Sequence, residues 1–193
     1  MDPYKSQLMF NIKGTTFYTV GNVESPEHTS EINNNVALPS VEALVFASFA
    51  KGDKTSFYKF LAVGGGSKEH FIDPQNPPVS SDLLSELGDT PKLFSEFYRK
   101  PVTFTRFIDP NTQDDNKFTA TNYGIIELIW TFSKDEAVGT WRELGIFAGD
   151  STEEANSGKL VHYQTIQDFE KTPSFVIGRD FNWHWRLDFN EPQ

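Results

Sequence analysis

Residues 181–189 read FNWHWRLDF, and this stretch decides the fold. Phe181, Trp183, Trp185, Leu187 and Phe189 fall on one side of an extended chain; Asn182, His184, Arg186 and Asp188 fall on the other. Side chains alternate across a strand with a period of two, so the stretch predicts a β-strand with one buried and one wet face. Residues 121–132 repeat the pattern, with Gly124, Ile126, Leu128, Trp130 and Phe132 on a common face. Residues 141–148, 159–166 and 174–177 read as further strands, and 94–108 as a long one bent at Lys100-Pro101. Residues 109–116 (DPNTQDDN) carry the residue types of a turn-forming loop.

The first half is more mixed. Residues 8–20 contain strand-like stretches, whereas 24–35 (ESPEHTSEINNN) are polar and interrupted by Pro, which reads as a loop or extended arm. A helix is expected near 40–51: Val41, Leu44, Val45 and Phe49 recur at helical spacing, Ser40 can cap, and Lys51-Gly52 can end it. Residues 56–63 (SFYKFLAV) read as a buried strand stopped by Gly64-Gly65-Gly66. A Pro-rich loop follows, then a short helix over 81–87 with Ser81 as its cap. The expected fold is mainly β, an antiparallel β-sandwich or partly open barrel, with one or two short helices in the N-terminal half. Residues 1–38 form an N-terminal arm with strands, and 39–193 form the sandwich domain.

Composition agrees. Of 193 residues, 15% are aromatic, including 18 Phe, which suits a compact β core. The formal net charge of −10 opposes binding to a phosphate backbone or to anionic lipid, so neither nucleic acid nor membrane insertion is expected. With no Cys there is no disulfide, thiolate metal site or Cys nucleophile.

A search for chemistry finds none. Gly64-Gly65-Gly66-Ser67-Lys68 follows a strand, but Ser precedes Lys and a Pro-rich loop replaces the helix a phosphate-binding loop requires. His28, His70, His162 and His184 show no metal-ligand spacing, although His162 and His184 could meet on neighbouring strands. The acidic groups Asp109, Asp114, Asp115 and Asp150, Glu153, Glu154 lack calcium-loop spacing. Tyr123, Trp130, Trp141, Trp183 and Trp185 could form a sugar-stacking platform, but alternating aromatics on strands belong more often to a core. Glu143, set in WRELGIF (141–147), needs a cationic or N–H partner if buried, with Arg99 and Lys171 as candidates. No catalytic, cofactor-binding or metal-binding residue is assigned, and no enzyme activity is expected.

Three segments together resemble a recurring family of phage virion proteins. The first is Leu61-Ala62-Val63-Gly64-Gly65-Gly66, followed by Leu83, Leu84, Glu86 and Leu87 and a strand containing Arg99; it is similar to the family's "a-V-G-x-G" strand end and "x-x-L-x-x-E" segment. The second is Glu143-Leu144-Gly145-Ile146-Phe147, which resembles "E-x-G-[LI]-F". The third runs from Gly158-Lys159-Leu160-Val161 through Lys171 to the closing Trp183 and Trp185 strand, with His162-Tyr163 where the family carries Ala-Arg. The resemblance covers residues 40–190. It implies a non-enzymatic virion component of the tail, baseplate or fibre-attachment region, homo-oligomeric and docked to other phage structural proteins. Capsid decoration is the alternative, as is a receptor-recognition module binding host surface glycan. Gly64, Gly66, Arg99, Glu143, Gly145, Phe147, Lys171, Trp183 and Trp185 are the residues it marks for structure and assembly.

Overall fold

The computed structural model describes residues 13–22, 25–32, 35–37, 58–73, 75–83, 86–88, 90–108, 125–174 and 180–188. Ten strands lie in these segments: β1 (Lys13–Asn22), β2 (Ser25–Ile32), β3 (Asn35–Ala37), β4 (Phe60–Gly64), β5 (Glu96–Pro101), β6 (Phe104–Ile108), β7 (Ile125–Phe132), β8 (Gly139–Ala148), β9 (Lys159–Lys171) and β10 (Phe181–Asp188). One helical turn, α1 (Ser80–Leu83), precedes β5. All strand pairs are antiparallel and make two five-stranded sheets, ordered β2-β1-β10-β7-β6 and β3-β9-β8-β4-β5. The fold is an antiparallel β-sandwich, and among the described residues no barrel closes.

The space between the sheets is aromatic. Trp130, Trp141, Trp183, Trp185, Phe132 and Phe181 pack there with Leu144 and Ile146. The Trp141 ring meets Phe132, Phe169 and Phe181 edge-on, with centroids 5.3, 5.5 and 5.6 Å away. Such edge contacts add about 0.5–1.5 kcal/mol each beyond area burial. The alternation seen in residues 181–189 therefore sends Phe181, Trp183 and Trp185 inward. All four tryptophans are buried, so none can serve as a sugar-stacking platform.

A second, smaller core lies on the outer face of the β3-β9-β8-β4-β5 sheet. There Phe71, Leu83 and Leu93, from the long connection between β4 and β5, cover Phe60, Ala62, Phe147, Leu160 and Tyr163.

Several expectations change. The polar stretch 24–35 is not a loop: most of it forms β2 at a sheet edge, paired to β1 with a register shift at Val20/Gly21, and its far end begins β3. Edge strands need only one hydrogen-bonded neighbour and tolerate polar residues and Pro. The expected long strand over 94–108 is two strands, β5 and β6. Val102 and Thr103 carry the chain from one sheet to the other, donating to Lys59 O (2.8 Å) and Ile129 O (2.9 Å). The short helix covers 80–83 and gives way to a turn by Glu86. The helix expected at 40–51 lies outside the described residues, as do the loop 109–116 and residues 175–177.

Candidate functional site

Glu143 sits in mid-β8, with its side chain on the outer face of its sheet and no exposure. Its Oε1 accepts from Ser95 N (2.8 Å) and Gly66 N (3.2 Å), and its Oε2 from Phe94 N and Tyr163 Oη (both 3.1 Å). The carboxylate thus holds both ends of the connection between β4 and β5. Burial keeps its pKa above the ordinary carboxylate value, against the pull of these four donors. The expected buried partner exists, but it is main-chain N–H rather than a cation.

Arg99 instead pairs with Glu96 on its own strand, β5. Its guanidinium lies 4.6 Å from the Phe147 ring centre and donates to Thr152 O (2.9 Å) and Ser157 O (3.2 Å). Glu96 Oε2 accepts in turn from Asn156 N (2.7 Å), so this pair anchors the turn between β8 and β9. Lys171 closes the opposite end of β9. Its ammonium, buried, donates to the carbonyls of Ser133 (2.9 Å), Lys134 (3.3 Å) and Glu136 (2.6 Å) in the β7–β8 turn. Burial pulls its pKa down from the usual lysine value.

Of the nine residues marked by the sequence, the structure gathers Gly64, Gly66, Arg99, Glu143, Gly145 and Phe147 on one outer face. Gly64 pairs with Glu143, Ala62 with Gly145 and Phe60 with Phe147, so the "V-G-x-G" and "E-x-G-[LI]-F" segments lie side by side. Trp183 and Trp185 belong to the interior, and Lys171 to the β7–β8 end.

Sequence reading missed a second polar cluster, on the outer face of the other sheet. Asn182 and His184, expected on a wet face, are buried there. Arg106, Glu127 and Arg186 stand opposite one another on β6, β7 and β10. Glu127, unexposed, is paired to Arg106 through Oε2 and to Arg186 Nε through Oε1 at 2.8 Å. Burial would raise its carboxyl, but His184 and Arg186 outweigh that and bring it to about 2. His184 Nε2 lies 2.9 Å from Thr19 Oγ1, and Nδ1 lies 3.4 Å from Glu127 Oε1. This order of hydroxyl, imidazole and carboxylate has the outline of a nucleophilic triad. It cannot act as one: Thr19 is 2% exposed and His184 1%, and two guanidiniums already claim the carboxylate. The alternation in β10 gave the face correctly, but nothing in the sequence showed that the face is covered.

His162 and His184 do not meet. His162 lies inside the sandwich, its ring 5.7 Å from Trp185, whereas His184 is on the outer face. Burial pushes His162 down to about 3. Among the described residues no cluster of His, Asp or Glu is arranged to hold a metal ion, and no helix is long and apolar enough to cross a membrane. Comparison of the chain with family models, curated proteins and solved structures finds no match in any of the three.

Proposed function

We propose that this chain is a non-enzymatic structural component of a bacteriophage particle, acting by self-association and by docking to other particle proteins in the tail, baseplate or fibre-attachment region. One observation carries the reading: the buried carboxylate of Glu143 is spent on holding main chain, with all four of its donors internal. A group poised for reaction keeps a face open to substrate. The side-by-side pairing of the two motif segments supports treating them as one structural unit.

Contact surface is present. β5 and β6 each form one edge of their sheet, opposite the β3 and β2 edges, and follow each other in the chain, so these two edges lie on one flank. Phe97, Phe104 and Val138 remain 43–46% exposed. Edges and exposed apolar side chains of this kind are where β-proteins pair. The β5 edge is blunted by its bulge at Phe97 and by Pro101, which leaves β6 as the edge better suited to pairing.

Native mass spectrometry of the purified chain tests self-association, with one discrete homo-oligomer expected and its dissociation by Phe104→Ser. Gold-labelled antibody on particles of the encoding phage tests location, with label at the tail expected. A chain that stays monomeric and is missing from the particle sinks the proposal; label over the capsid shell moves it to decoration.

A further inference from the structure

Asn182 brings a carboxamide to Thr19, His184 and Glu127 from within the chain. Thr19 on β1 and Asn182 on β10 stand directly opposite each other in the sheet. Asn182 Nδ2 lies 3.4 Å from Thr19 Oγ1 and donates to Gly21 O at 2.9 Å. Asn182 Oδ1 accepts from the hydroxyl of Thr131 on β7, the neighbour on the other side, at 2.8 Å. The carboxamide is therefore held at both ends, with a donor in place to polarise its carbonyl.

The hydroxyl is held as firmly. His184 Nδ1 faces the Glu127 carboxylate, which places the ring proton on Nδ1 and leaves Nε2 to accept from Thr19 Oγ1 at 2.9 Å. Phe17 stacks on the imidazole, with centroids 4.4 Å apart and planes within 11° of parallel, and so fixes the ring plane. Thr19, His184, Glu127 and Asn182 are each at most 2% exposed.

Turnover of outside molecules is out of reach here, since none can enter and Arg106 and Arg186 share the carboxylate. A step that happens once in each chain needs neither entry nor speed. Its electrophile is already in position, and the exclusion of water protects its product from hydrolysis.

We propose that Thr19 and Asn182 join in an intramolecular ester with release of ammonia. Thr19 Oγ1 forms a bond to Asn182 Cγ as its proton passes to His184 Nε2. The Thr131 hydroxyl steadies the negative charge that gathers on Oδ1. His184 then gives the proton to Nδ2, the Cγ–Nδ2 bond breaks, and ammonia leaves. A hydroxyl and a carboxamide become an ester and ammonia, and no oxidant or reductant is needed. Dilution of ammonia into solvent draws the step forward. The structure holds the pair before reaction. The bond ties β1 to β10, the first and last described strands, across 163 positions of sequence. In a chain with no Cys, such an ester is a covalent staple that reductants do not open. It does not depend on where the protein resides.

Intact-mass spectrometry of the full chain through prolonged incubation at neutral and mildly alkaline pH is the test. A form lighter by one ammonia is expected. Proteolysis of that form should release one linked pair of peptides, carrying Thr19 and Asn182, which hydroxylamine separates by opening the ester. Thr19→Ser keeps a hydroxyl and should still lose ammonia. Thr19→Val keeps the shape without the hydroxyl and should not, with an unchanged circular dichroism spectrum as the check on its fold. His184→Gln should slow the loss about a hundredfold, as removal of a general base does. A parent chain that keeps its full mass throughout would overturn the proposal. So would a lighter form that yields no Thr19–Asn182 linked pair. Ammonia loss that persists in Thr19→Val would overturn it as well, since the reaction would then be attack by main chain on the Asn182 carboxamide.

Discussion

Gly64 lies against the carboxylate of Glu143, directly opposite it on the neighbouring strand, with no room for a side chain between them. A Cβ at 64 would fall 2.7 Å from Glu143 Cγ and closer still to Oε1. The absence of a side chain at 64 is what lets the carboxylate reach Gly66, Phe94 and Ser95.

Gly64→Ala is therefore expected to destabilise by about 1–3 kcal/mol through overpacking. Glu143→Ala removes the group being struck, so the same Gly64→Ala change should cost less than about 0.5 kcal/mol in that background. Urea unfolding of the four proteins gives the coupling directly. Equal cost in both backgrounds would show that Gly64 answers to something other than Glu143.

Tyr163→Phe removes one of the four donors to Glu143 and leaves the packing of the ring in place. A loss of about 1 kcal/mol is expected. Glu143→Gln turns one oxygen into a donor facing donors, and should cost about 2 kcal/mol or more. A melting temperature unmoved by Glu143→Gln would remove the locking role given to this residue.

Lys171→Met is expected to cost about 3 kcal/mol, since three carbonyls of the β7–β8 turn lose a charged donor at a buried site. Lys134→Met, on the same turn but exposed and only 4.0 Å from Asp135, should stay within about 0.5 kcal/mol of the parent. Comparable losses for the two would mean that the buried ammonium does no more than a surface one.

How much of this was legible beforehand depends on what each residue interacts with. The strands β7, β8 and β10 were readable because alternation depends on local sequence alone. Glu143 was noticeable because a carboxylate between apolar neighbours conflicts with burial unless it is satisfied. Its partners were not readable: three are N–H groups of Gly66, Phe94 and Ser95, which every residue but proline carries, and the fourth, the Tyr163 hydroxyl, comes from a strand whose pairing no local pattern fixes. Lys171 hides for the same reason on the acceptor side: main-chain carbonyls leave no trace in composition. The Glu127 cluster was missed because Arg106, Glu127 and Arg186 come from three strands whose order in the sheet no local pattern fixes. The segment 24–35 misleads because its polarity and its Pro fit a loop or extended arm, whereas an edge strand tolerates both.

Glu127 should govern stability in acid. Its carboxyl sits at about 2 when folded, against 4.5 as the ordinary value, so the folded state releases this proton more readily than the unfolded one. The stability it contributes is complete above pH 4.5 and is lost as pH falls toward 2, about 3 kcal/mol in all. Glu127→Gln should flatten that part of the stability curve and cost about 3–5 kcal/mol at pH 7, where it leaves Arg106 and Arg186 without their shared partner. An unchanged slope below pH 4.5 in the variant would assign the acid sensitivity elsewhere.

His162 acts in a different window. Inside the sandwich, with its Nε2 3.5 Å from Tyr58 Oη, the ring stays neutral down to about pH 3, whereas in the unfolded chain it takes a proton near 6.5. Between those values the unfolded state binds more protons, so lowering the pH favours unfolding. The contribution is fully present above 6.5, and a fall from pH 6.5 to pH 5 removes about 2 kcal/mol of stability. The loss stops growing below about 3, where both states are protonated. His162→Gln cannot titrate; whatever its own packing cost at pH 7, its stability should hold nearly level across pH 5–6.5 while the parent's declines. Urea midpoints at pH 7, 6 and 5 for both proteins decide the matter, and parallel declines would mean that the buried imidazole is not the group taking up the proton.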